Sequence, residues 1–255
     1  NRPVTQGRNY ILVYGHPTST ADGYDGYFGN LLTDLPTLNR LLHVDCSPAR
    51  ALELRMDKRT FSLHSWGNPL FSLSLIGARW RTRSANWLVR RAATHEGGGG
   101  QAAMIKWQIH CQANWIKSAR PAVVAWPWEN YAWEREFVRC ARTNGVKTIG
   151  YQHSVIGRTM FNYSSVSNAD GEESIPDNIF CTGKVWQELL SRWAIARQKI
   201  SIGGALRFSS VKSPKFDKKA PVLVALPFDN IIAGEIIKAV DKAAQAGSNT
   251  VFLVK

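Results

Sequence analysis

Between Ala122 and His153 the chain alternates in a way that only a parallel sheet can use. Ala122 to Trp126 is an apolar, largely β-branched run, and Pro127-Trp-Glu-Asn130 interrupts it. A periodic segment then continues to Arg142, Asn144-Gly145 turns the chain, and Val146 to Tyr151 is a second β run ending in Gln152-His153-Ser154. Strand, helix and strand in this order form a βαβ unit, so the two strands lie side by side and parallel. Ligands of open parallel sheets sit outside the carboxyl ends of the strands. Two polar clusters fall there, Glu129-Asn130 and Gln152-His153-Ser154, and that end of the sheet is the expected active site.

The same alternation recurs on both sides. Asn9 to Tyr14 reads as a buried strand, followed by the loop Gly15-His16-Pro-Thr-Ser-Thr20. Its glycine spacing matches neither a dinucleotide fingerprint nor a P-loop. His16 is a site candidate there, with a plain turn histidine as the alternative. The aromatic and glycine-rich loop 22–29 carries Asp25, which either meets substrate or caps a helix expected near Asn30 to Asn39. Leu41 to Val44 reads as the second strand, while 50–63 gives no clear pattern. Further on come a strand at Ile179 to Thr182, a helix from Lys184 to about Ala196 and a strand at Lys199 to Ile202. The segment Gly203-Gly204-Ala-Leu-Arg207 ends this series. Adjacent glycines let backbone approach a phosphate and Arg207 would pair with it; tight-turn glycines beside an exposed arginine are the alternative.

Residues 209–220 are polar, basic and proline-broken, as an interdomain linker is. Pro221 to Leu226, Ile231 to Ala246 and Thr250 to Val254 then read as strand, helix and strand. One helix and two strands are too little to bury a core, so the chain is expected to continue beyond Lys255. The fold expectation is therefore α/β, with two Rossmann-like domains built on parallel sheets: 1–208, and a second beginning at 221–255 and cut short.

The net charge of +13 over 255 residues calls for an anionic partner: nucleic acid, anionic lipid or a phosphorylated substrate. Arg79, Arg81, Arg83, Arg90 and Arg91, with no acid between them and with Trp80 and Trp87 interleaved, form the densest stretch. Ser72 to Ala93 is expected to be helical and amphipathic, either an RNA-binding or headgroup-docking strip or a solvated face whose tryptophans turn inward. Gly97 to Gly100 reads as a flexible linker or a break. Gln101 to Ser118 is expected to be a helix burying Trp107, Cys111 and Trp115. The four cysteines form no Cys-x-x-Cys pair, which favours buried thiols over a zinc ribbon or disulfide framework. No run of about 18 apolar residues exists.

Glu129-Asn-Tyr-Ala-Trp-Glu134, followed by Gly150-Tyr-Gln-His-Ser154, resembles a bacterial surface-carbohydrate biosynthesis family. Its members carry a Glu-Asn-x-x-Trp-Glu segment and then a strand ending in His-Ser or His-Thr. Pro176-Asp177 before a strand and the Gly203–Arg207 loop add to the likeness, which covers roughly Ala122 to Lys255. It implies a two-domain GT-B glycosyltransferase that takes sugars from nucleotide-activated donors, CMP-linked acidic sugars included, for capsule or lipopolysaccharide. A His-Pro pair common in such enzymes would be expected just past Lys255.

Such chemistry needs no bound metal and no cofactor, the nucleotide-sugar being a substrate; it needs a base for the acceptor hydroxyl and positive groups against the leaving phosphate. Glu129 is the preferred base, with a plain acid at a helix N-terminus as the alternative. His153 is the second choice or an orienting group, with a satisfied strand-end histidine as the alternative. His16, Asp25, Asn130, Gln152, Ser154 and Arg158 are candidate substrate contacts. Gly203, Gly204, Arg207 and Lys255 are candidates for the donor phosphate. The acceptor would be a glycan or a lipid-linked glycan, and the location cytoplasmic, with peripheral contact to the inner face of an anionic membrane. Alternatives are a polyol-phosphate transferase of the teichoic-acid type, a catalytically silent scaffold, and a basic nucleic-acid-binding module, although no RNP, KH, zinc-finger or helix-turn-helix signature is present.

Overall fold

The computed structural model describes residues 8–55, 58–77, 79–157, 159–164, 171–193, 195–196, 199–208, 217, 220–247 and 250–255. The chain divides into two compact units, Asn1–Ser209 and Ser210–Lys255.

The first unit runs β1 (Asn9–Val13), α1 (Leu31–Asp34), β2 (Leu38–Leu42), α2 (Pro48–Glu53) and β3 (Thr60–Ser62). Two 3-10 turns, Leu63–Trp66 and Pro69–Leu75, lead into α3 (Trp87–Glu96) and α4 (Gly99–Ala119). Then come β4 (Val123–Pro127), α5 (Ala132–Thr143), β5 (Lys147–Gln152), β6 (Asn178–Cys181), α6 (Lys184–Arg192) and β7 (Ile200–Ile202). The strands form one parallel sheet in the order β3-β2-β1-β4-β5-β6-β7. The strand order reverses between β1 and β4, so the loops after these two strands diverge to opposite faces and leave a crevice between them.

Alternation along β1 divides the core. Tyr10 and Leu12 join one cluster, with Trp115 of α4, Trp126 of β4 and Phe137 of α5. Ile11 and Val13 join the other, with Leu32, Leu42 and Tyr151. The α4 stripe is inward as the spacing requires: Cys111 and Trp115 are fully buried, Trp107 partly, and the Trp115 ring meets Tyr10 edge-on at 5.1 Å. Gly150 is needed where Trp128 crosses β5, since a Cβ there would lie 2.8 Å from that indole. All four thiols are free, and Cys46, Cys111 and Cys181 are buried.

Several local expectations change. The helix near Asn30 to Asn39 shrinks to α1, because Pro36 cannot continue it and Leu38–Leu42 pairs with β1 instead. The second strand accordingly starts at Leu38 and not at Leu41. The segment 72–93 is not one helix: Gly77 adopts φ 67°, 79–86 is irregular, and α3 starts only where the Asn86 side chain accepts from Leu88 N at 2.9 Å. Gly97 and Gly98 are the caps between α3 and α4, and Gly99 and Gly100 open α4. The unclear stretch 50–63 resolves into α2 and β3, α2 being started by Ser47 as cap and Pro48 at its first position.

The second unit holds β8 (Val222–Val224), α7 (Asn230–Gln245) and β9 (Phe252–Val254), the two strands parallel. The Asp229 carboxylate caps α7, accepting from Ile231 N and Ile232 N. Leu223, Leu253 and Val254 remain exposed, as expected of a two-stranded sheet.

Candidate functional site

The loop after β4 is shaped by a residue one turn into the next helix. Glu134, the third residue of α5, is buried and turns its carboxylate back to the strand end. Its Oε2 accepts from Trp126 Nε1 at 3.0 Å, Glu129 N at 3.1 Å and Asn130 N at 3.0 Å. A glutamate at the third helical position commonly reaches back to free amides in this way. Burial pushes its carboxyl up to about 8 against the pull of those donors. The loop also holds Asn130 at φ 58°, in the left-handed region that asparagine tolerates. Its Nδ2 donates to Asn162 O at 2.7 Å, and Asn162 Nδ2 donates in turn to Glu129 O.

This scaffold leaves the Glu129 side chain one-quarter exposed at the carboxyl end of β4, with His153 Nε2 at 4.0 Å and Ser154 Oγ donating at 3.4 Å, both from the end of β5. The Tyr131 hydroxyl is hydrogen-bonded to the same carboxylate, which raises its phenol to about 12. Burial holds the His153 imidazole below its usual range; Glu129 opposes this and Arg207 adds to it. The imidazole is therefore neutral near pH 7. Two atoms here are buried without a hydrogen bond of good geometry, Asn130 Oδ1 and His153 Nδ1. Such orphaned polar atoms are uncommon in native folds and mark places where a ligand or water completes the bonding.

The first loop faces the same place. His16 follows β1, and the ring of Tyr27 stands between it and His153, edge-on to both at 5.2 and 5.0 Å. Thr18 N donates to His16 Nδ1 at 3.2 Å, which places the His16 proton on Nε2. Arg50 of α2 fixes this loop by donating to the carbonyls of His16, Pro17 and Ser19. The Gly203–Arg207 segment returns from the sheet edge to close the other side. Tyr151 Oη donates to Gly204 O and accepts from Leu206 N, both at 3.0 Å, and Tyr24 Oη donates to Arg207 O at 3.0 Å. Gly29, at φ 57°, lets Leu206 O pass where a Cβ would lie 2.1 Å away. The Arg207 side chain is exposed, and its charge opposes the rise that burial causes in the phenol pKa values of Tyr27 and Tyr151.

The structure thus gathers Glu129, Asn130, His153, Ser154, His16 and Arg207 at the β1–β4 crevice. Other sequence candidates have different surroundings. Asp25 is fully buried: Oδ1 accepts from Tyr27 N and Phe28 N, Oδ2 from Ser19 Oγ, and Arg40 Nη1 lies 4.0 Å away. It shapes the 22–29 loop from beneath. Gln152 is buried, its Nε2 donating to Ser154 O and its Oε1 accepting from Thr182 N at 3.4 Å, so it braces β5 against the chain after β6. Gly204 takes φ 78°, whereas a Cβ on Gly203 would press on Phe180. Lys255 lies in the second unit, its N donating to Val224 O at 3.0 Å. Arg158 lies outside the described residues. The sequence reading assigned no role to Glu134, Tyr27 or Tyr151, although Glu134 and Tyr151 stand in the two motif segments; Glu134 also carries a local signal, its place three residues after the helix cap.

Among the described residues no three His, Cys, Asp or Glu side chains converge as a metal site, and no helix is long and apolar enough to cross a membrane. A cleft of ≈ 1550 Å³ opens beside the carboxyl ends of β2 and β3, lined by Asp45, Leu52, Arg55, Lys58, His64 and Met104; it includes neither Glu129 nor His153.

No family model matches the chain, and no curated protein matches it. Among solved structures, the UDP-GlcNAc 2-epimerase from Methanocaldococcus jannaschii is similar with a TM-score of 0.52 and 10% identity, over 96% of this chain and 64% of that one. A second UDP-N-acetylglucosamine 2-epimerase gives 0.50 and 11%, over 97% of this chain and 63% of that one. The chain spans just under two thirds of the length of these neighbours. At such identities the likeness speaks for the fold, which is α/β and GT-B-like.

Proposed function

We propose that the protein is a metal-independent glycosyltransferase of bacterial surface-polysaccharide biosynthesis, which moves a sugar from a nucleotide-activated donor to a glycan or lipid-linked acceptor. The observation that carries this reading is the Glu129 carboxylate, held at the carboxyl end of β4 by Glu134 and facing His153, Ser154 and Tyr131. Glu129 takes the proton of the acceptor hydroxyl as that oxygen bonds to the anomeric carbon. The bond from this carbon to the donor phosphate breaks, and its electron pair leaves with the phosphate oxygen. Arg207 and the Gly203–Gly204 backbone face the charge that develops there. Neutral His153 orients the acceptor. Both fold neighbours named above carry UDP-GlcNAc in their names, which supports a nucleotide-sugar as ligand and favours epimerisation of such a sugar as the second reading.

A nucleotide panel (CMP, UDP, GDP, ADP) followed by thermal shift tests the donor site. Selective stabilisation by one nucleotide, lost in Arg207→Ala, is expected. The matching sugar donor should then be consumed with an added glycan acceptor, and Glu129→Gln should lower turnover by at least about 100-fold while leaving nucleotide binding intact. Consumption of a UDP-sugar with formation of its epimer and no glycan product would replace transfer by epimerisation. If no nucleotide shifts the protein, both readings fail.

A further inference from the structure

Residues 69–91 present an apolar and basic surface that the catalytic reading leaves unused. Leu70, Leu73 and Ile76 are 74%, 65% and 80% exposed, and Trp87, Leu88 and Val89 are 61%, 57% and 45% exposed. Arg79, Arg81, Arg83, Arg90 and Arg91 are exposed among them, and no Asp or Glu occurs from Pro69 to His95. The three segments share one support, the amino-terminal half of α4 and the chain entering it. Lys106 Nζ donates to Ser74 O, Trp80 Nε1 to Ala102 O, and Trp80 N to Gly97 O; Arg79 Nη2 donates to Thr94 O of α3.

The helix α3 is the telling part. It has ten residues, buries none of them, and carries Leu88 and Ala92 one turn apart on one face. Helices this short are marginal in water unless a face is packed. Among the described residues no element buries this face. Exposed aliphatic side chains interleaved with arginines fit a bilayer interface: leucine, isoleucine and tryptophan enter the acyl boundary while guanidinium groups stay with anionic headgroups. A nucleic acid would use the arginines and tryptophans but offers nothing to Leu70, Leu73, Ile76 and Leu88.

We infer that the 69–91 surface, centred on α3, docks the protein on an anionic membrane. The inference does not rest on the transferase reading. Its test is sedimentation of the full chain with phosphatidylcholine vesicles, with and without phosphatidylglycerol. Binding is expected only with phosphatidylglycerol and is weakened by salt. Arg81→Gln and Arg83→Gln should each lower affinity about fivefold. Ile76→Ser and Leu88→Ser should lower it without changing the salt dependence, and brominated acyl chains should quench the tryptophan emission of the unaltered protein. Equal binding to both vesicles, no binding, or unquenched emission would overturn the inference. So would a short RNA that displaces the vesicles and binds as well to Leu88→Ser.

Discussion

Replacing Glu134 by glutamine tests the site at its foundation. The folded carboxyl lies near pH 8, whereas an unperturbed glutamate ionises at 4.5, and burial is the leading cause. The folded state therefore holds a proton that the unfolded chain releases. This contribution to stability is fully present below pH 4.5 and is lost as pH rises through about 8. At about 1.36 kcal/mol per pH unit, the gap corresponds to on the order of 5 kcal/mol, of which about 3–4 kcal/mol falls between pH 5 and 8. His43 and His153 act in the opposite sense, because burial lowers both imidazoles and makes their neutral forms the folded ones. The quantity to measure is hence the difference between the two proteins. All ten tryptophans lie in the first unit, so urea unfolding followed by tryptophan emission reports on that unit alone. Glutamine keeps an acceptor for Trp126 Nε1 and the two amides but cannot ionise. The unaltered protein should lose stability relative to Glu134→Gln as pH rises from 5 to 8. Parallel curves over that range would refute the reasoning.

Other perturbations probe the surrounding framework. Asp25→Ala leaves the Arg40 guanidinium buried without its carboxylate, though still bonded to Thr60 Oγ1 and the carbonyls of Thr20, Tyr24 and Leu54. It should cost about 3–5 kcal/mol, read from the same urea curves. Gly29→Ala combines a left-handed φ of 57° with a Cβ 2.1 Å from Leu206 O; it should destabilise by at least about 1 kcal/mol and weaken nucleotide binding through Arg207. In His153→Gln the acid-side loss of stability that begins as pH falls through 6.5 should diminish, because the native imidazole resists protonation; an unchanged acid limb would contradict its burial.

How much of this molecule was legible in its sequence depends on the range of the forces involved. The parallel sheet was, because apolar runs separated by periodic segments and glycine turns are local signals. The 122–153 unit appears as β4, α5 and β5 with its polar ends at the strand termini. Trp107, Cys111 and Trp115 turn inward because spacing alone sets a helix face. The 72–93 segment misled because its amphipathic composition suits a helix, while Gly77 and the Asn86 cap divide it.

What the amino-acid order determined by itself is the strand, helix and strand of 122–153, and that Glu129 and His153 lie at the carboxyl ends of neighbouring strands. Only the tertiary structure decided that Tyr27 stands between His16 and His153, that Arg40 crosses the core to Asp25, and that the 203–207 loop returns to the first loop. That last contact joins Tyr24 to the Arg207 carbonyl across 183 positions. The physical reason is common to all three: a hydrogen bond, ion pair or ring contact between residues on different segments leaves no periodicity behind, and exists only once the sheet has brought those segments together.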